Sequence, residues 1–183
     1  MNETPDSVFE QPLIDILVND DHEVETVSDS NLTSFDFSGY DILISRAPED
    51  SYSSHPASSF LSDIDMPVMS FSRHDVRNAF NMGGSSGTRT QSVFDLTPDS
   101  NFDLAGYSGS VQLYNSQTGH AVWSLSSDTE TLALDGDEIG IAYRFRSNGY
   151  IAVGSSMHRG DDLTQEGEEV LLSLIWDAVE ATP

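Results

Sequence analysis

The chain has 183 residues, 31 of them Asp or Glu against 7 basic residues, all arginine, for a net charge of −24 and no cysteine. Such a charge repels nucleic-acid phosphates and anionic membranes, and no arginine cluster reverses it locally. Disulfides, thiol nucleophiles and Cys-ligated metals are excluded with the cysteines. Dense carboxylates with no lysine suit near-saturated salt, where a Debye length of roughly 3 Å at about 1 M suppresses self-repulsion. The composition therefore reads as that of an extreme halophile, with solvent cations as its counter-ions.

One domain of this length buries about 70% of its unfolded surface. Residues 1–10 are polar and acidic, without the basic and apolar regions of a signal peptide. No apolar run approaches the ~20 residues that cross a bilayer. The sequons at Asn2 and Asn31 and the tripeptide Arg159-Gly160-Asp161 are read as chance in this composition.

Val8, Phe9, Leu13, Ile14, Leu17 and Val18 have helical spacing over 7–19, with Pro12 a suitable first helical residue. Residues 22–27, His-Glu-Val-Glu-Thr-Val, alternate and predict an edge-like strand. The compact apolar runs 40–45 and 67–71 predict buried parallel strands, and 56–64 and 74–80 predict short helices. Residues 81–87 predict a flexible Gly/Ser loop. Beyond it lie short β segments at 88–94, 110–114, 120–125, 130–134, 138–146 and 150–154. Ile139, Ile141, Tyr143 and Phe145 keep a clean period of two, and Asn148-Gly149 predicts a two-residue hairpin turn with φ > 0 at both positions. Thr164 caps a terminal helix over 164–180, whose apolar stripe is Val170, Leu171, Leu174, Ile175 and Ala178. Trp123 and Trp176 are expected in the core. The whole is one α/β domain, a sandwich with a mixed sheet: a β/α half (7–80), the loop (81–87), a β-rich part (88–154) and the closing helix.

Several segments, in this order, resemble one family. They are residues 22–28, the run from Phe37 to Ser45 (Phe-Ser-Gly-Tyr-Asp-Ile-Leu-Ile-Ser), residues 66–71 (Met-Pro-Val-Met-Ser-Phe), and Leu163-Thr164-Gln165-Glu166-Gly167 leading into Asp177-Ala178-Val179. Over roughly 10–180 the chain is similar to the class I glutamine-amidotransferase-like, flavodoxin-like domain attached to many secreted or carbohydrate-associated multidomain proteins. The resemblance implies a three-layer flavodoxin-like sandwich with a β-rich insertion. It also implies a hydrophobic first strand, central in the sheet, flanked by 23–28 and 40–45. Residues 1–6 are too polar to be a doubly buried strand. Its place must therefore be taken by a β segment from 88–154, by a strand from another chain, or by sequence upstream of Met1. The family's nucleophile is Cys, and here its place holds Ser72-Arg73-His74.

That comparison makes Ser72 and His158 a candidate nucleophile–base pair, with Asp161 or Asp162 to orient the histidine. Ser72 lacks the Gly-x-Ser-x-Gly elbow that exposes a nucleophile. Asp135 and Asp137, in Asp135-Gly136-Asp137-Glu138, are candidate cation ligands, although acidic turns are common in this composition. His22, His55, His74 and His120 show no metal-ligand spacing. No glycine-rich phosphate loop follows a strand, so no cofactor is expected.

The leading expectation is a non-catalytic structural or protein-interaction module. It would be a subunit of a larger halophilic assembly, virion or cell-surface structure, rather than a free cytoplasmic protein. A protein partner or a homo-oligomer is expected, and the alternative is a small hydrolase or transferase using Ser72 and His158. A net charge of −24 makes folding salt-dependent. The thermal midpoint, followed by circular dichroism, should rise between roughly 0.1 M and 3 M salt; equal midpoints would remove the halophile reading.

Overall fold

The computed structural model describes residues 10–45, 56–116, 118–136, 138–157 and 159–181, without the side chains of 29, 56–57, 73, 84–90, 118–124 and 135. Four helices occur in chain order: α1 (Glu10–Asn19), α2 (Pro56–Asp63), α3 (Arg73–Asn78) and α4 (Gln165–Glu180). The strands are β1 (Leu43–Ser45), β2 (Val68–Ser70), β3 (Gly83–Gln91), β4 (Val93–Leu96), β5 (Gly109–Gln112), β6 (Thr118–Leu125), β7 (Glu130–Asp135), β8 (Glu138–Phe145) and β9 (Ile151–Ser155).

Seven strands form one mixed sheet in the order β1-β2-β9-β8-β7-β4-β5. β1, β2 and β9 are parallel, and every later neighbour is antiparallel. β3 and β6 make a separate antiparallel pair. The fold is thus a three-layer α/β sandwich with a mixed sheet.

Alternation along the central strands separates two cores. Met69, Val153, Ile151, Ile141 and Tyr143 point to the face covered by α1 and α4. Val68, Ala152 and Ala142 point to the other, covered by α2, α3 and the 3-10 turn Asp29–Ser34. α4 buries its whole predicted stripe, worth about 1.5–3 kcal/mol per large aliphatic side chain. The Thr164 hydroxyl accepts from the Gly167 N–H at 3.0 Å and caps the helix. Gly167 is required for a second reason: a Cβ there would stand 2.2 Å from the Leu113 carbonyl oxygen.

Arg146 locks α2 to the β8–β9 hairpin. Its buried guanidinium donates to the carbonyls of Leu61 (2.9 Å), Ser62 (3.3 Å), Ile64 (3.0 Å) and Met66. These are the orphan carbonyls at and beyond the α2 C-terminus, where the helix dipole also favours a cation.

Four expectations are corrected. Residues 22–28 form no strand, because no ladder partner meets them. Gly83–Gln91 is a strand and not a loop: pairing with β6, through an irregularity between Gly83 and Ser86, overrides the low strand propensity of its glycines. The β8–β9 hairpin exists, but its loop is Ser147–Gly149, closed by the Arg146 N–H donating to the Tyr150 carbonyl at 2.8 Å. Only Gly149 has positive φ (88°), the three-residue form with a left-handed glycine. Trp176 is 48% exposed, its ring 4.8 Å from that of His22; the Trp123 side chain lies outside the description. α1 also opens at Glu10, two residues before Pro12, which still falls in the first turn, where a missing N–H breaks no helical bond.

Gly167→Ala should cost roughly 1–3 kcal/mol as α4 is pushed off Leu113, measured by chemical denaturation in high salt; an unchanged midpoint would mean that this packing yields freely.

Candidate functional site

The carboxyl ends of β1, β2 and β9 carry Ser45, Ser70 and Ser155, the end of an α/β sheet where ligands usually sit. Here a buried carboxylate closes that end. Ser72 is the N-cap of α3, its Oγ accepting from the His74 N–H at 3.2 Å. Asp75 stands in the third helical position and is fully buried. Its Oδ2 accepts from Ser45 Oγ at 2.7 Å and Ser70 Oγ at 2.9 Å. The Ser72 N–H in turn donates to Ser70 Oγ at 3.0 Å. Ser-x-x-Asp is the spacing of a capping box, in which the acid reaches back to the cap N–H. Here it does so through an intervening hydroxyl, and the relay binds β1, β2 and α3 together.

This geometry gives Ser72 a structural task. Its hydroxyl faces its own helix, in ordinary extended backbone (φ −98°, ψ 123°). His158, the candidate base, lies outside the described residues. Both oxygens of Asp161 accept from Arg159, at 3.0 and 2.8 Å. Asp162 Oδ2 accepts from Ser116 Oγ at 2.8 Å. The two candidate orienters are therefore engaged with Arg159 and Ser116. Asp135 ends β7 with its side chain undescribed, and Asp137 lies outside the described residues. Among the described residues no group of three His, Asp or Glu converges as a metal site, and no helix is long and apolar enough to cross a membrane. His55 lies outside the described residues, and the side chain of His120 is undescribed.

A shallow groove of ≈ 370 Å³ lies elsewhere, between α1 and α4, with Ile16 and Leu172 among its apolar lining and Asp15, Asp20 and Glu168 among its polar lining. None of the candidate catalytic residues lines it, so it lends them no support.

The second feature is the outer edge of β1. The Leu43 N–H donates to the Pro67 carbonyl at 3.1 Å, and the Ser45 carbonyl accepts from the Phe71 N–H at 3.1 Å. Neighbouring residues of a parallel strand point opposite ways in the sheet plane. Ile42 and Ile44 therefore aim their N–H and C=O groups outward, and among the described residues no strand meets them. The chain crosses from one face of the sheet to the other nearby. Leu17 belongs to the α1/α4 core, while Val27 and Leu32 belong to the opposite one. Between them Glu23, Val24, Glu25 and Thr26 are exposed. The Tyr40 hydroxyl, three residues ahead of β1, donates to Glu25 and fixes this crossing beside the edge.

No protein-family model and no curated protein sequence matches the chain. Function is therefore read from these two features.

The relay makes the carboxylate the hub. Asp75→Ala should cost on the order of 3 kcal/mol, by stranding two buried hydroxyls. Ser72→Ala, which removes only a cap, should cost about 1 kcal/mol. Urea denaturation of the two variants measures the order, and the reverse order would displace Asp75 from the centre.

Proposed function

We propose that this chain is a non-catalytic interaction module, a subunit of a larger halophilic assembly of the virion or cell-surface kind, built on an amidotransferase-like, flavodoxin-like scaffold. The single observation that supports the reading is the β1 edge. Ile42 and Ile44 present two N–H and two C=O groups to an unfilled side of the sheet among the described residues. A long unpaired edge invites aggregation, and monomeric proteins blunt theirs with charge, proline or a covering segment. The β1 run 42–44 is Ile-Leu-Ile, without charge or proline. Strand addition from a partner uses such an edge. The position of Ser72 as a helix cap supports the non-catalytic side of the reading.

Fractionation of tagged full-length chain from salt-grown cells tests it. Wild type should sediment with particles far larger than its 20.0 kDa. Ile44→Pro removes an outward N–H and spares the bonds from Leu43 and Ser45 to β2, so that variant should sediment as free chain while its circular dichroism stays native. Ser72→Ala should follow wild type. Sedimentation of wild type as free chain would overturn the proposal.

A further inference from the structure

We infer that the strand completing the β1 edge comes from a different protein chain, is apolar on both of its faces, and carries arginine at the end lying beside Asp41 and Glu25. This deepens the interaction-module reading and rests on it.

The apolar requirement comes from the two walls. A strand added to β1 continues both faces of the sheet. On one face its neighbours are Ile42 and Ile44, half-buried against the core that holds Leu13, Ile16 and Leu17. On the other they are Leu43, Val27 and Phe37, half-buried against the core that holds Leu32 and Leu61. A strand with polar side chains on either face would bury them against hydrocarbon without partners, at a cost. Both faces therefore select Val- and Ile-like residues, the pattern of a strand inside a parallel sheet.

The arginine comes from charge. Asp41 immediately precedes the edge residues, and Glu25 is held beside them by Tyr40. Glu23 and Glu25 on the crossing segment are exposed, as is Asp41. A second copy of this chain would bring the same carboxylates to the same place, and like charges brought together oppose docking. A partner arginine meets them instead. Its guanidinium forks a carboxylate and is more weakly hydrated than an ammonium, so it suits a chain whose own cations are all arginine.

The test uses the full-length chain in high salt and reads amide exchange at Ile42 and Ile44. The probes are the synthetic peptides Arg-Val-Ile-Val-Ile-Val and Val-Ile-Val-Ile-Val-Arg, a version with glutamate replacing arginine, and a version with serine at every second position. One arginine peptide should slow exchange at Ile44 at least tenfold, and which one does so gives the strand direction. The glutamate version should bind at least tenfold more weakly, and the serine version should give no protection. Equal protection by the serine version would overturn the apolar requirement, and equal binding of the glutamate version would overturn the charge requirement. Protection that grows with protein concentration alone would assign the edge to a second copy. Slow exchange in the dilute chain alone would assign it to the chain's own residues. Failure of every peptide, with Ile44 protected in the sedimenting particle, would overturn this partner chemistry and leave the module reading in place.

Discussion

Thirty-one carboxylates share seven cations, and the rest of the structure is arranged around that shortage. Among the described residues, arginine–carboxylate pairs join Arg144 to Asp128 and Arg159 to Asp161. Elsewhere the carboxylates are held by neutral donors. Tyr107 donates to Glu169 at 2.6 Å, and Gln165 donates to the same residue. These two bonds hold the Glu169 carboxyl below its ordinary range, and the first raises the Tyr107 hydroxyl. Tyr143 donates to Asp99 at 2.7 Å. Burial, reinforced by that acceptor and partly offset by the Asn101 amide, pushes Tyr143 up to about 12. Ser173 and the Asp103 N–H serve Asp177, and Ser45 and Ser70 serve Asp75. A neutral donor loses little when salt screens monopoles over a few ångströms. The buried Arg146 follows the same logic in reverse, spending its charge on carbonyl oxygens.

Where the sequence alone was sufficient, one period dominated. α4 carries a stripe and a cap that nothing contradicts, and Ile139 to Phe145 alternate without interruption, so both elements stand where the pattern puts them. Residues 22–27 carry the same kind of alternation, yet a strand exists only if a neighbour offers a ladder, and that lies outside any local pattern. Gly83–Gln91 is the converse case, where the neighbour β6 imposes a strand on residues that would otherwise be a loop. In the hairpin, Asn-Gly marked the turn correctly, but one further residue entered the loop and left only Gly149 left-handed.

The site was legible in part. Ser72-Arg73-His74-Asp75 displays the spacing of a helix cap, a signal that could have found Asp75. The eye was drawn instead to Ser72 as a nucleophile by its place after β2. The participation of Ser45 and Ser70 could not be read, because it depends on β1 and β2 lying side by side in register, Ser45 opposite Ser70. The exposure of Trp176 was likewise hidden: it shares α4 with five buried residues and differs from them only in helical phase.

The Arg146 clamp has a kinetic face. Its bonds reach residues 80 to 85 positions back along the chain, whereas β7–β8 and β8–β9 join neighbours in sequence. Closing long loops costs entropy before any contact rewards it, so non-local pairing slows folding. The antiparallel meander is the portion that can organise from its own neighbourhood. The parallel flank of β1, β2 and α2 must wait for a finished hairpin with its guanidinium in place. Elements added last, with the fewest contacts, are also those that open at least cost. A strand arriving at β1 would then meet the most yielding margin of the sheet, with room to adjust before the edge is sealed.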